Sequence, residues 1–130
     1  HRRRHSFPTR RSSDLGKDFY VIHLMGGHGL YYFRYPYLFT KFLKDDLAAP
    51  ENSYSEAKRT EIAQYANAIY YNDFIVTSIM GKFADKDAIV VYIPDHGEAL
   101  YDRGSTFSGH VEEHPNRYML EVPLIIYGSL

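Results

Sequence analysis

The segment IVVYIPDHGE, residues 89–98, places several side chains that can do chemistry directly after a predicted strand. Its first four residues are apolar and mostly β-branched, which is typical of a short buried strand. Pro94 then ends the ladder because it has no N–H. Asp95 and His96 follow at once, at the edge where open α/β sheets bind ligands. Since zinc prefers oxygen and nitrogen ligands of these types, the segment predicts a metal site.

Two further histidines are predicted to join this pair. His28 lies in a glycine turn just after a second strand candidate, Phe19–Met25, so it should project from the same edge of the sheet. His110 lies in the loop that follows His96 and can fold back over it. Three imidazoles and the Asp95 carboxylate at one edge are typical of a metal site or a phosphate site.

Three other features keep two interpretations each. Glu98 could orient His96, because metal-bound imidazoles usually donate their other N–H to a carboxylate, or it could cap the next turn. His23 lies within its strand and could be a core residue or an outer contact of the site. The aromatic run at 31–37 could line a substrate groove, although packing beneath the site is the preferred interpretation.

The elements around these residues indicate an α/β fold. Apolar residues recur at helical spacing from about residue 53, and Gly81 closes that helix. A polar loop then runs from His96 to about Tyr118, and VPLIIYG at 122–128 predicts a third strand. Strand, long helix, strand, loop and strand predict a mostly parallel sheet with helices on its faces.

The first 15 residues are predicted to be foreign to the fold. They are rich in arginine and serine, and HSFPTRRSSDL resembles translated sequencing-adapter sequence, so we expect this stretch to be an artefact and disordered. Without its five arginines and one aspartate, the 15 basic and 16 acidic residues become 10 and 15, a net charge of −5. No argument for a nucleic-acid partner survives this change.

Residues 16–130 are expected to be an internal piece of a longer protein, since they begin close to one strand candidate and end close to another. The absence of cysteine excludes disulfides and cysteine-based metal sites from the piece. No apolar stretch approaches the roughly 20 residues that span a bilayer.

Four blocks of the chain resemble the phosphoethanolamine transferases of the alkaline phosphatase and sulfatase superfamily. The blocks are VIHLMGGHGLYYFRYP at 21–36, YANAIYYNDFIVTSIM at 65–80, IPDHGEALYD at 93–102 and FSGHVEEHPNRYMLEVPLII at 107–126. The last block has the form seen in the branch that acts on the lipopolysaccharide core. The resemblance implies that residues 16–130 are the C-terminal part of a sulfatase-like catalytic domain, a partial alkaline phosphatase-like sandwich.

The resemblance also implies a function and a set of site residues. The parent would be a monomeric enzyme anchored in the bacterial inner membrane, with its catalytic domain in the periplasm. It would move phosphoethanolamine from phosphatidylethanolamine to lipopolysaccharide, on lipid A or the core. Asp95 and His96 would bind Zn²⁺, with Mn²⁺ or Mg²⁺ as alternatives. His28 and His110 would bind a second metal or the substrate phosphate, and His23 would lie near that phosphate.

One departure from the family limits what this chain should do. The family attacks the phosphodiester with a metal-activated threonine, and that threonine and a further ligating carboxylate lie upstream of the region represented here. We therefore expect the chain to be inactive alone. Two alternatives stay open: a sulfatase or phosphodiesterase of the same superfamily, and an inert truncated module.

Overall fold

The computed structural model describes residues 9–12, 18–48 and 50–128. Their strands and α-helices follow in this order: β1 Thr9–Ser12, β2 Asp18–Val21, α1 Glu56–Gly81, β3 Ile89–Tyr92, β4 Ala99–Leu100, β5 Ser108–Gly109, α2 Arg117–Leu120 and β6 Ile125–Gly128. Short 3-10 turns connect several of them, among them Tyr31–Phe33 before α1 and Asp102–Gly104 between β4 and β5. None of the helices in the described part of the chain combines the length and the apolar character needed to cross a bilayer.

The mixed α/β content and the principal elements agree with the sequence prediction. The strand at Ile89–Tyr92 and the C-terminal end of α1 at Gly81 have the predicted bounds. Helix α1 begins at Glu56, where the Ser55 hydroxyl accepts the N–H of Lys58 at 3.5 Å. The third strand begins only at Ile125, since Pro123 cannot donate to a ladder.

The strand pairing differs from the mostly parallel sheet that was predicted. Among the described residues, β1–β2, β3–β6 and β4–β5 form three two-stranded ladders, and all are antiparallel. A parallel pair needs a crossover that returns the chain to the starting end of the first strand. Between β3 and β6 the chain instead forms β4, β5 and the four-residue α2. It therefore returns to β3 from the opposite direction, with Tyr92 beside Ile125.

Strand β2 is shorter than predicted, because it extends only to Val21 and not to Met25. Its partner is β1, with Thr9 opposite Val21 and Ser12 opposite Asp18. Thr9–Ser12 lies within the stretch that was expected to be disordered, and the structure gives it a strand. The edge of a strand presents unpaired N–H and C=O groups, and another segment of backbone can form hydrogen bonds with them. The remainder of that stretch lies outside the described residues.

The buried core is small and centres on α1. Its apolar members are Ala63, Ala68, Val76 and Met80 on the helix and Tyr31, Ala99, Tyr101 and Met119 around it. By contrast, the four residues of β2 and the four of β6 are exposed. Phe19 and Ile126, for example, each keep 67% of their surface accessible. These strands leave apolar surface of the kind that usually marks a contact with further protein.

Asn67 is the buried polar residue that fixes the loop before α1 to the helix. Its side chain is 1% exposed, and its Oδ1 accepts the backbone N–H groups of Lys41 and Phe42, both at 2.8 Å. Its Nδ2 donates to the Phe42 carbonyl at 2.9 Å. One amide thereby satisfies three backbone groups.

Replacing Asn67 with alanine is expected to lower the free energy of unfolding by about 3 kcal/mol, because these backbone groups lose their partner. Urea denaturation followed by circular dichroism measures the change. Ser78→Ala is the matched control, since Ser78 is exposed on the same helix and bonds only the helix carbonyl of Phe74. Equal stabilities for the two variants would contradict the assigned role of Asn67.

Candidate metal centre

The rings of His96 and His110 lie against each other, with centroids 3.8 Å apart and planes tilted by 35°. His96 belongs to the loop that leaves β3, and His110 directly follows β5. The β4–β5 ladder brings them together, because Ala99 pairs with Gly109 and so places the loop before β4 beside the residue after β5. Gly109 has φ +106°, a conformation that glycine adopts without strain.

Both imidazoles use Nδ1 for an oxygen of the protein. His96 Nδ1 lies 2.9 Å from the Gly97 carbonyl, and His110 Nδ1 lies 3.2 Å from Glu98 Oε1. A carbonyl and a carboxylate only accept hydrogen bonds, so Nδ1 is the donor in each pair. In the neutral ring the lone pair is then on Nε2. This is the state in which histidines ligate metals.

Glu98 contacts His110. The sequence had offered it as a carboxylate that orients His96, and the structure does not show that contact among the described residues. The reason is the β4–β5 register, which places Glu98 and His110 side by side, while the His96 ring turns back to the adjacent carbonyl. The Glu98 side chain is only 6% exposed, and its Oε2 accepts the hydroxyl of Tyr31 at 3.2 Å. Both oxygens of this carboxylate therefore have a donor.

His28 is the third imidazole of the group. Its ring meets the His110 ring edge-on, with centroids 5.9 Å apart. It lies in the predicted glycine turn, where Gly26 has φ +46°. Arg34 holds this turn by donating to the carbonyls of His28 at 2.9 Å and Gly29 at 3.0 Å.

Asp95 and His23 lie beside this group. The Asp95 side chain is 85% exposed. Its Oδ1 accepts the backbone N–H of His96 at 3.0 Å and lies 3.9 Å from the ring nitrogen Nε2 of the same residue. His23 is exposed just after β2. Both residues line one groove of about 1870 Å³ that also contains His28 and His96. The structure thus brings His28, His96, His110 and Glu98 together and leaves His23 along the wall of the same groove.

The donor set fits a divalent metal ion. In the described part of the chain, ligand atoms from His96, Glu98 and His110 all lie within 4.8 Å of one another. Two imidazole nitrogens and one carboxylate oxygen suit zinc, whereas Mg²⁺ and Mn²⁺ favour sites made of oxygen. Within this group Glu98 already accepts hydrogen bonds from Tyr31 and His110, so it orients His110.

Sequence reasoning missed two residues that position the site, Tyr31 and Arg34. In the sequence Tyr31 is only one member of an aromatic run, whereas in the structure it is 4% exposed and bonds Glu98. Arg34 bonds backbone carbonyls, and such contacts leave no pattern in a sequence. The spacing of Tyr31 three residues after His28 is the one signal that could have drawn attention to it.

The tyrosines beneath the site predict a loss of stability in alkali. Burial, and secondly the Glu98 carboxylate, raise the pKa of Tyr31, and burial also raises the pKa of Tyr65. Because the fold favours the neutral phenols, their contribution to stability is complete below about pH 10 and is lost as the pH rises further. We expect the free energy of unfolding to fall above about pH 10, and less steeply in Tyr31→Phe. Identical slopes in urea denaturation across this range would refute the expectation.

Comparison with known proteins identifies relatives of the chain. The family model described as Sulfatase matches residues 11–130. Phosphoethanolamine transferase EptC of Escherichia coli K12 is 33% identical over 116 residues, which are 87% of this chain and 20% of that protein. Kdo(2)-lipid A phosphoethanolamine 7''-transferase of the same strain is 30% identical over 114 residues, with 88% and 20% covered. The chain thus spans about a fifth of the length of these curated relatives.

A solved structure has the same fold. The crystal structure of the C-terminal periplasmic domain of EptC from Escherichia coli superimposes with a TM-score of 0.72 at 31% identity. The superposition covers 82% of this chain and 31% of that domain. The sulfatase-like fold predicted from the sequence is confirmed by this likeness.

Proposed function

Because the chain belongs to the sulfatase family, we propose that its parent protein is a metal-dependent phosphoethanolamine transferase. The observation that carries the proposal is the pair of contacting imidazoles whose Nδ1 atoms are committed to protein oxygens, which leaves the Nε2 lone pairs for a ligand. The similarity to EptC and to the lipid A transferase supports the reaction class. Phosphatidylethanolamine is the proposed donor, and lipopolysaccharide, at lipid A or the core, is the proposed acceptor.

The proposed ligands for zinc are His96 and Asp95, which adjoin each other, together with His28 and His110 nearby. A bound zinc ion supplies Lewis acidity, which stabilises charge on phosphoryl oxygens and lowers the pKa of a coordinated hydroxyl. His28 and His110 are alternatively proposed as contacts of the substrate phosphate, and His23 lines, together with His28, the groove through which a phosphodiester would reach the site. Mn²⁺ and Mg²⁺ fit this imidazole-rich set less well.

The residues of this chain account for part of a transferase site. By resemblance, the nucleophilic threonine and a further ligating carboxylate belong to sequence that this chain does not include. The exposed apolar strands β2 and β6 are consistent with this division, because the solved periplasmic domain contains about twice as much further chain to cover them. We propose that the 130-residue chain is inactive alone, and that its parent is a monomer anchored in the inner membrane with this domain in the periplasm.

The parent gene, recovered from the source DNA, allows the proposal to be tested. The full protein would be expressed in an Escherichia coli strain that lacks its own phosphoethanolamine transferases, and its lipopolysaccharide examined by mass spectrometry. We expect phosphoethanolamine on lipid A or the core, and none when His96 is replaced by alanine. Unmodified lipopolysaccharide from a folded, zinc-loaded protein would reject the transferase function.

The match to the Sulfatase family model favours a second candidate, a sulfatase or phosphodiesterase of the same superfamily that hydrolyses its intermediate with water. The same purified protein would be assayed with an aryl sulfate and a phosphodiester. Release of sulfate or alcohol into water, without transfer to lipid, would assign the parent to hydrolysis. The residue in the nucleophile position then distinguishes the two classes, since the resemblance implies threonine for the transferase and cysteine or serine for a sulfatase.

A further inference from the structure

We propose that Tyr31 is a positioning residue of this site, which orients His110 through the carboxylate of Glu98. The inference deepens the proposed function and rests on it, because an oriented imidazole matters only if it binds metal or phosphate. The three side chains come from three separate segments, and their geometry can be tested without any metal.

The three side chains form a continuous hydrogen-bonded series. The Tyr31 hydroxyl donates to Glu98 Oε2 at 3.2 Å, and Glu98 Oε1 accepts from His110 Nδ1, also at 3.2 Å. Each carboxylate oxygen is bound by a different donor, so the plane of the carboxylate is set from both sides. A rotation of that plane would weaken both bonds.

The burial of Glu98 makes the Tyr31 hydroxyl necessary. With 6% of its side chain exposed, the carboxylate has little access to water and depends on protein donors. If the Tyr31 hydroxyl is removed, Oε2 loses the donor that the structure gives it. The carboxylate would then turn toward another donor or admit water, and in either case Oε1 would no longer hold His110 in one orientation.

Tyr31 is well placed to act as the fixed end of the series. It is 4% exposed, and its ring packs edge-on against Tyr65 of α1, with centroids 5.1 Å apart. The 3-10 turn Tyr31–Phe33 that carries it begins after Leu30, which has φ 59°. Such a packed ring cannot follow a moving carboxylate. The position of its hydroxyl is therefore set by the long helix and not by the site.

His110 differs in this respect from His96. The His96 ring is oriented by the carbonyl of Gly97, its neighbour in the chain, so its orientation is a local property. The orientation of His110 depends on Glu98, and through it on a tyrosine 67 residues earlier than Glu98. A change at Tyr31 should consequently affect the tautomer of His110 and leave unchanged the tautomer of His96, which the Gly97 carbonyl sets.

Nuclear magnetic resonance of the metal-free 130-residue chain tests this inference. Long-range ¹H–¹⁵N correlations report which ring nitrogen of each histidine carries the proton, measured at about pH 8, where an unperturbed imidazole is neutral. In the wild type we expect His110 to be protonated on Nδ1. In Tyr31→Phe we expect a mixture of the two tautomers for His110 and an unchanged His96. Zinc affinity should fall about 10-fold, as it does when an outer partner of a ligand is lost.

Tyr32→Phe is the matched control, because Tyr32 lies in the same turn, is 62% exposed and packs on Phe33. It should leave both readouts at the wild-type values. A wild-type His110 tautomer in Tyr31→Phe overturns the inference, and so does an equal change in both tyrosine variants. If Tyr31→Phe does not fold, Glu98→Leu removes the acceptor of His110 Nδ1 instead, and an unchanged His110 tautomer in that variant also overturns the inference. Failure of the wild-type chain to bind zinc would count against the metal site alone.

Discussion

Replacing His96 with alanine is expected to lower the zinc affinity of the chain by about 100-fold or more. The variant removes a nitrogen donor from a group whose ligand atoms lie within 4.8 Å of one another. Changes to outer partners of metal ligands already cost about 10- to 100-fold, so the loss of a direct ligand should reach at least the upper end of that range. Competition with a chromophoric zinc chelator measures the affinity. His110→Ala should behave in the same way.

His114→Ala is the control for this experiment. His114 is an exposed histidine of the same loop region, close in sequence to His110, and it is not among the clustered donors. Its replacement should leave the zinc affinity within a factor of about two, since surface changes away from a site have small effects. An equal loss in all three variants would mean that zinc binds histidines at random. No loss in His96→Ala would remove His96 from the metal centre.

The second large effect is expected at Gly97, where the chain passes very close to the segment of α2. A β-carbon built on Gly97 would lie 2.1 Å from the Tyr118 carbonyl oxygen, and the Gly97 N–H donates to the Met119 carbonyl at 2.8 Å. The two backbones cannot separate without loss of this hydrogen bond. Gly97 also provides the carbonyl that orients His96. Gly97→Ala should therefore lower the free energy of unfolding by about 1–3 kcal/mol and weaken zinc binding as well.

Gly29→Ala provides the comparison, because Gly29 belongs to the turn of the same site and a β-carbon there meets no atom within 4 Å. It should leave both the urea midpoint and the zinc affinity close to those of the wild type. If Gly97→Ala is as stable as Gly29→Ala, the close approach of Gly97 to Tyr118 does not limit the stability of the fold. If it is destabilised but binds zinc normally, the Gly97 carbonyl is not what orients His96.

Local patterns in the sequence were sufficient for the elements whose causes are local. The strand Ile89–Tyr92 follows from consecutive apolar residues bounded by Pro94, and the end of α1 at Gly81 follows from helical periodicity. The position of Asp95 and His96 directly after a strand follows from the same run of residues. In the structure the His110 ring lies against His96, and the His28 ring meets His110.

The pairing of strands and the partners of Glu98 could not be obtained in this way. Strands β4 and β5 have two residues each, too few to show a period, yet their register decides that Glu98 meets His110 and not His96. The antiparallel pairing of β6 with β3 depends on the path that residues 93–124 take between them. The sequence of this segment has no regular apolar period that would predict the path. The Tyr31 contact joins residues 67 positions apart. A residue's type and its near neighbours are present in the sequence, whereas a hydrogen bond between distant residues exists only once packing has brought the two backbones together.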